Sequence, residues 1–182
     1  MISALIATWC VLSPLALFPA RQFIREHSGE HVSVMRFILP LLVLNAIIFY
    51  RPGSFMEHIS LSAFFVFMAQ LAYLDAHKHW LPLRFTTAFI VAGALLSGSP
   101  VHVFAAAVLW LPFFAMEHYP NGPGRGDKWL CAGLGMWLGI PLAPLITGVS
   151  LLLILLAGRF CHTRGQPLAP YVFAASLLLL LL

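Results

Sequence analysis

Charged side chains are the scarcest feature of this 182-residue sequence, in which Lys, Arg, Asp and Glu together make up only 9% of the residues. An average soluble domain carries roughly a quarter. Ten basic and six acidic side chains cannot cover the surface of a folded chain of this length, while 61% of the residues are hydrophobic. Most of the exterior must therefore be apolar, which excludes a soluble globular fold and predicts lipid as the surrounding solvent.

Cysteines and clustered basic residues are also few. The three cysteines, Cys10, Cys131 and Cys161, are far apart and form no CxxC pair, so the sequence predicts neither a disulfide framework nor a zinc site. The net charge is +4, but the ten cations are scattered between apolar runs. Proteins that bind nucleic acids group their cations on one face, so no nucleic-acid partner is expected. No metal and no cofactor is expected either.

Long apolar runs dominate the chain, and a membrane-spanning helix needs about 20 mostly apolar residues. The sequence therefore predicts an all-α, polytopic integral membrane protein, with six to eight transmembrane helices, short loops and a single membrane domain over residues 1–182. The runs are residues 1–20, 32–50, 59–74, 85–96, 101–116, 130–143, 145–157 and 168–182. Several are short for a full span, so the number of crossings stays open.

The distribution of the cations gives a topology. The first run is followed, not preceded, by Arg21 and Arg25, which is the reverse of a secretory signal peptide and predicts a first span with its N-terminus outside. With eight spans, Arg51 is the one cation on the outside. Cytoplasmic loops are enriched in Lys and Arg, so this division supports the assignment. The cations assigned to the inside are Arg21, Arg25, Arg36, Lys78, Arg84, Arg125, Lys128, Arg159 and Arg164.

Three glycines, Gly133, Gly135 and Gly139, lie on the apolar run at 130–143. Small residues at such spacing let a second helix approach closely within a membrane. A phosphate-binding loop is the less favoured interpretation, because no strand precedes these glycines. The glycines therefore predict a helix-packing face.

Only two of the six acidic residues are aspartates, and both lie at ends of apolar runs on the predicted cytoplasmic side. Asp75 ends one run and is followed by Pro82, which suits the first turn of a restarting helix. Asp127 lies in a loop rich in Gly and Pro. Two apolar runs, 85–96 and 101–116, separate the aspartates. An even number of crossings returns the chain to the same face, so the two carboxylates can meet.

Two carboxylates in a partly dry site cannot both ionise easily, so they share a proton. One can then take a proton from water while the other donates one to a peptide carbonyl, which is the aspartic protease arrangement. The glycines before Asp127 would let a substrate backbone approach the carboxylate. The alternative is that both aspartates are ordinary loop charges, paired with Lys78, Arg125 or Lys128.

The sequence around both aspartates resembles that of the type IV prepilin peptidases. These are bacterial membrane aspartic proteases whose second aspartate lies in a GxGD motif. LDAHKHWLP, residues 74–82, is similar to the first motif of that family, in which an aliphatic residue and Pro follow the Asp. Gly124, Arg125, Gly126 and Asp127 form the GxGD motif, followed by Lys128. GQPLAPYVFAA, from Gly165, is similar to the Pro-rich start of the last helix of the family.

The resemblance implies a peptidase core at residues 55–175, preceded by N-terminal spans and a short basic loop at 1–54. It implies Asp75 and Asp127 as the catalytic pair, with Gly124, Gly126, Lys128 and Pro82 as substrate-binding or motif residues. The substrate would be a prepilin or pseudopilin, and a short basic leader would be cut off next to a Gly that precedes the hydrophobic pilin helix. The enzyme would lie in the bacterial inner membrane, with its active site facing the cytoplasm.

Three departures from the family pattern stand out. Leu83 replaces the usual acid after the first-motif Pro, and Trp129 occupies the position two after the GxGD aspartate where the family has Lys. The connection at residues 21–31 lacks the cysteine-rich segment that many members carry and that is associated with N-methylation of the new terminus. The resemblance therefore implies a short, peptidase-only form without methyltransferase activity. The pilin system that it serves and its oligomeric state stay open.

Other polar residues have simpler interpretations. His77 and His79 have a spacing that could ligate a metal, but four convergent ligands are absent from the sequence, so loop histidines at the interface are favoured. Glu117 and His118 are expected to face water, and Trp80 to anchor the chain at the membrane interface.

The alternative to a peptidase is a non-enzymatic membrane scaffold or transporter subunit of a secretion or pilus system. A transporter would place its acids near mid-span.

Overall fold

The structure is a computed structural model that describes residues 6, 8–10, 12–28, 33–97, 99–117, 119, 124–161 and 166–181. The described residues form a short 3₁₀ helix at Ser13–Ala16 followed by seven α-helices. The α-helices are α1 (Leu17–Ser28), α2 (Met35–Tyr50), α3 (Phe55–Lys78), α4 (Leu83–Ser97), α5 (Pro100–Met116), α6 (Asp127–Cys161) and α7 (Leu168–Leu181). The prediction of an all-α membrane protein is confirmed.

The exterior of the bundle is apolar. Among the described residues, two helices are long and apolar enough to cross a membrane. They are α3, with a mean hydropathy of 1.5, and the Asp127–Arg159 part of α6, with a mean hydropathy of 2.4. The other apolar helices are shorter, at 10–17 residues. Leu39, Leu95 and Leu155 are 67–78% exposed on the outside of the bundle. An apolar exterior of this kind is stable in lipid and not in water.

The N-terminal region differs from the sequence prediction. The first run is not one continuous helix, because the 3₁₀ helix interrupts it, and residues 1–5, 7 and 11 lie outside the described residues. Part of the segment predicted as a basic connection is α1, which continues through Ser28. Leu17, Ala20 and Ile24 are buried, so this helix has an apolar face that packs on the core while its arginines lie on the polar side.

The helix after Asp127 also differs from its prediction. The sequence placed a break near residue 144, but the helical conformation of α6 is interrupted earlier, at Gly139 and Ile140. Gly139 has a φ of +60°, which glycine adopts without steric cost, and Pro141 has no N–H to continue the helical hydrogen bonds. Because these two residues fall together, the chain changes direction there.

Helix α3 is the central element. It begins at a capping box, in which Ser54 accepts the N–H of Glu57 and the Glu57 carboxylate accepts the N–H of Ser54. It ends at His79, whose left-handed conformation (φ 49°) turns the chain back toward α4. Helices α1, α2, α4 and α7 pack around α3, and α6 packs against α4, α5 and α7. The predicted restart of the helix next to Pro82 is confirmed, because α4 begins at Leu83.

Polar groups inside the bundle bond to one another. The Trp9 indole donates to Ser62, Ser62 donates to Asn45, and Asn45 donates to Ser13, each over 2.6 Å. In lipid every buried polar group needs an internal partner, so this chain of bonds holds the N-terminal segment against α2 and α3. At one end of the bundle, Arg51 donates to the carbonyl of Leu180 over 2.6 Å and satisfies the C-terminus of α7.

The predicted helix-packing face is confirmed for Gly133 and Gly135. A Cβ on Gly135 would lie 2.5 Å from the Cα of Ala106, so the backbones of α5 and α6 are in direct contact. A Cβ on Gly133 would lie 2.6 Å from Cε1 of Phe89 in α4. Gly139 does not extend this face as a helical residue, because it forms the break and lies against His102.

Candidate active site

Asp75 lies in the last turn of α3 and is 4% exposed. Its Oδ2 accepts a 2.8 Å hydrogen bond from the backbone N–H of Ala169, in the first turn of α7. The first N–H groups of a helix have no partner within that helix, and its N-terminus favours negative charge. The carboxylate of Asp75 is therefore held by the end of a helix nearly a hundred residues later in the chain.

Asp127 is the first residue of α6 and closes a tight turn. The backbone N–H of Asp127 bonds to the carbonyl of Gly124 over 3.0 Å, and its Oδ2 accepts the N–H of Gly124 over 2.8 Å. A Cβ on Gly124 would lie 3.3 Å from this carboxylate oxygen. The GxGD turn therefore folds around its own aspartate, and the position of Gly124 leaves little room for a side chain.

One cavity, of about 520 Å³, is lined by both aspartates. The structure thus brings together the two residues that the sequence predicted would meet, with α4 and α5 as the two helices between them. Its size is within the usual range for pockets that hold a small ligand or a short peptide segment. The described residues that complete the lining are His79, Trp80, Leu81, Leu83, Gly124, Arg125, Gly126, Trp129, Gln166, Pro167 and Leu168.

Gly126 has a structural reason to be glycine that the sequence did not indicate. A Cβ at this position would lie 2.6 Å from the Cβ of Leu81 and 3.1 Å from the Leu81 carbonyl oxygen. The turn at Gly126 thus packs directly on the loop between α3 and α4. Leu81 already occupies the space beside Gly126, so the prediction that a missing side chain admits a substrate backbone stays a prediction for Gly124 alone.

We expect Gly126→Ala to reduce activity more than it reduces folding. The new methyl group must push the turn away from Leu81 and move Asp127 with it. The family resemblance implies that Asp127 is a reacting group, and misplacement of such a group by about 1 Å can cost about 100-fold in rate. The measurement is the rate of substrate cleavage per folded protein in detergent. The rescue variant is Gly126→Ala/Leu81→Gly, because only glycine at position 81 removes the Cβ that the new methyl group would meet. An unchanged rate in Gly126→Ala would contradict the contact.

Lys128 and Pro82 were predicted as motif residues, and the structure gives both a place outside the cavity formed by the described residues. The ammonium of Lys128 bonds to the carboxylate of Glu117. Pro82 is buried, and its carbonyl accepts the N–H groups of Phe85 and Thr86 at the start of α4. Their substrate-binding roles stay predictions. The expectation that Glu117 faces water is wrong, since its side chain is only 17% exposed; His118 lies outside the described residues.

The two histidines predicted to lie in a loop have different surroundings, and the prediction is wrong for His77, which lies in the last turn of α3. His77 Nδ1 lies 2.7 Å from the carbonyl of Tyr73, one turn back in α3, while His79 lines the cavity. The described residues contain no group of three or more His, Cys, Asp or Glu side chains that could hold a metal ion. The cavity holds two carboxylates, each with a backbone donor, an arrangement chemically suited to moving protons.

Sequence reasoning missed three contacts of the site. The N–H of Ala169 on Asp75, Leu81 beneath Gly126, and Glu117 bound to Lys128 each join residues distant in sequence. Only the first had a signal, because the GQPLAP segment suggests a helix start. The others depend on how the helices pack.

Comparison with known proteins gives one match. The model of a family described as the type IV leader peptidase family matches residues 62–161, more than half of the chain, and the matched range contains both aspartates of the cavity. No curated protein and no solved structure matches the chain. Because the match covers most of the helices that build the cavity, this membrane protein belongs to the type IV leader peptidase family, whose members are peptidases that act on protein substrates.

Proposed function

We propose that this peptidase removes the short basic leader from type IV prepilins or pseudopilins, and that Asp75 and Asp127 are its catalytic pair. The observation that carries the proposal is that both carboxylates line one cavity, although they lie on different helices. Membership of the leader peptidase family supports the substrate class.

The proposed reaction needs a water molecule between the two carboxylates. The ionised aspartate takes a proton from this water, and the oxygen of the water attacks the carbonyl carbon of the scissile peptide bond. The protonated aspartate donates its proton to the carbonyl oxygen. Collapse of the tetrahedral intermediate breaks the C–N bond. The aspartate that took the proton from water gives it to the leaving amine, and the other aspartate takes a proton back from a hydroxyl group of the intermediate. The carboxyl product and the free amine are released, and the pair again shares one proton.

The backbone donors support this role for the pair. Asp75 accepts the N–H of Ala169, and Asp127 accepts the N–H of Gly124. Each bond fixes one carboxylate oxygen, so neither side chain has to reorient as charge moves during the reaction. Donors that are fixed before the reaction lower its barrier more than groups that must reorganise.

The walls of the cavity suit a peptide with apolar side chains. Trp80, Leu81, Leu83, Trp129 and Leu168 line it beside the two aspartates. A leader peptidase must bind a hydrophobic helix start on one side of the bond that it cuts, and these side chains can contact it by burial of apolar surface.

The distribution of charge supports a site at the cytoplasmic face of a bacterial inner membrane. Arg125 and Lys128 lie at the end of the bundle that holds the cavity, and Arg84 follows the cavity-lining Leu83. Arg51 lies at the C-terminal end of α7, whose N-terminal end contacts Asp75. Cations concentrate on the cytoplasmic side of membrane proteins, so this distribution supports a cavity at that face.

The non-enzymatic alternative, a scaffold or transporter subunit, receives less support. Asp75 lies in the last turn of its helix and Asp127 in the first turn of another, and both line the same cavity. A proton-linked transporter would place such acids near mid-span in discontinuous helices. Nothing in a scaffold role requires two carboxylates to share one cavity.

The test is co-expression of the chain with a prepilin that has a basic leader ending in Gly before a hydrophobic helix. We expect a shorter product on a gel and a new N-terminus directly after the Gly, identified by mass spectrometry. A prepilin without its basic leader, expressed in parallel, identifies the cleaved band. Intact precursor beside folded, membrane-inserted enzyme would contradict the proposed substrate.

A further inference from the structure

Glu117 joins the end of α5 to the GxGD turn through two bonds. Its Oε2 accepts a bond from the ammonium of Lys128, and its Oε1 lies 3.4 Å from Nε of Arg125. These two cations flank Gly126 and Asp127 in sequence. One carboxylate therefore holds the turn on both sides of the aspartate.

The bond to Lys128 is the more important of the two, because it is shielded from water. The side chains of Lys128 and Glu117 are 13% and 17% exposed, whereas that of Arg125 is 92% exposed. The ammonium of Lys128 also lies 5.3 Å from the ring centre of Phe114, which stacks on Trp110. Exposed ion pairs contribute little, but loss of one member of a shielded pair leaves the other charge uncompensated.

The charges of this pair are on unfavourable helix ends. Glu117 follows the last residue of α5, and Lys128 is the second residue of α6. A helix stabilises cations at its C-terminus and anions at its N-terminus, so each helix alone would favour the opposite charge. Local helix stability therefore does not explain why Glu117 and Lys128 occupy these positions. Their contact between the two helices does explain it.

The turn is held from the other side by the loop between α3 and α4. Gly126 packs against Leu81. Leu81 lines the cavity and follows Asp75 closely in the sequence. The turn that carries Asp127 is thus fixed between Leu81 and Glu117. Without Glu117 the contact with Leu81 remains, but the ion pair no longer draws Lys128 toward α5.

We infer that Glu117 is a positioning residue that sets the place of Asp127 relative to Asp75 through Lys128. The inference rests on the proposed function, in which these two aspartates activate water together. Glu117 and Lys128 do not contact substrate in this role. They determine how often the two carboxylates lie at a reactive separation, so their loss lowers kcat and leaves KM little changed.

The experiment measures kcat and KM for leader removal by the full chain in detergent, with folded protein quantified by size-exclusion chromatography. We expect Glu117→Gln and Lys128→Gln to lower kcat about 10- to 100-fold at nearly constant KM. Lys128→Arg keeps the charge and the contact with Phe114, so it should retain most of the activity. Glu26→Gln, on the exposed side of α1, is the matched control and should resemble the wild-type protein.

A purely structural pair would give a different result, namely less folded protein with an unchanged kcat per folded molecule. If Glu117→Gln does not fold, Glu117→Asp keeps the charge opposite Lys128 but withdraws the carboxylate by one methylene, and it should also lower kcat. A wild-type kcat in whichever folded Glu117 variant is measured would overturn the inference. Asp75→Asn, assayed in parallel, separates the two proposals: if it cleaves at the wild-type rate, the catalytic pair itself is wrong.

Discussion

Replacement of either Asp75 or Asp127 by Asn is expected to abolish leader removal while the protein still folds and inserts. Asn has nearly the same shape and its amide oxygen can still accept the N–H of Ala169 or Gly124, so the packing of α3, α6 and α7 is retained. It cannot take a proton from water or donate one as a carboxylic acid. General acid–base groups contribute about 10²- to 10⁴-fold, so cleavage should fall by about 10²- to 10⁴-fold. The measurement is the initial rate of precursor loss on a gel.

The double variant gives the sharper form of this prediction. In the proposed mechanism the two carboxylates act as a unit, so Asp75→Asn/Asp127→Asn should be little slower than either single variant. Glu57→Gln is a suitable control, since this acid lies in the capping box at the other end of α3 and Gln can also serve there. Complete processing of the precursor by either folded single variant would refute the assignment of the pair. Additive losses would instead indicate two carboxylates with independent roles.

The features that could be predicted from sequence are those determined by local composition. Helices α4 and α5 were predicted as two apolar runs between the aspartates, and the structure extends them by only a few residues at either end. Their number alone places Asp75 and Asp127 at one end of the bundle. That parity was enough to propose the candidate pair, whereas the common cavity depends on how the helices pack.

The contacts that fix the pair could not be predicted, because they are set by tertiary packing. The carboxylate of Asp75 meets the N–H of Ala169, and Glu117 meets Lys128, a partner eleven residues away with a loop between them. A charged residue that follows a helix is predicted to be exposed to water unless its partner is known. The break at Gly139 was missed for a related reason: glycine in an apolar run fits both a helix-packing face and a left-handed turn, and only the local backbone decides.

The contact between α5 and α6 has a direct bearing on the site, since these helices carry Glu117 and Asp127 at their adjoining ends. At Gly135, where α6 crosses α5, the backbone of Ala105 and Ala106 occupies the space that a side chain would need. Association of helices in lipid depends on such close packing, because lipid is as apolar as the side chains and gives little hydrophobic driving force. Gly148, further along α6, has open space around the corresponding position.

These two glycines therefore form a matched pair for the last prediction. A Cβ on Gly135 would lie 2.5 Å from Ala106 Cα and 2.6 Å from the Ala105 carbonyl carbon, and backbone atoms can yield only if the helices separate. We expect Gly135→Ala to lower the free energy of unfolding by about 1–3 kcal/mol, or to prevent folding. Gly148→Ala should leave it unchanged or raise it by up to about 1 kcal/mol, because Ala is the better helix former. Denaturation of both variants in detergent, followed by circular dichroism, provides the comparison. Equal stability of the two would show that α5 and α6 do not meet at Gly135, and the position assigned to the GxGD turn would then lose its support.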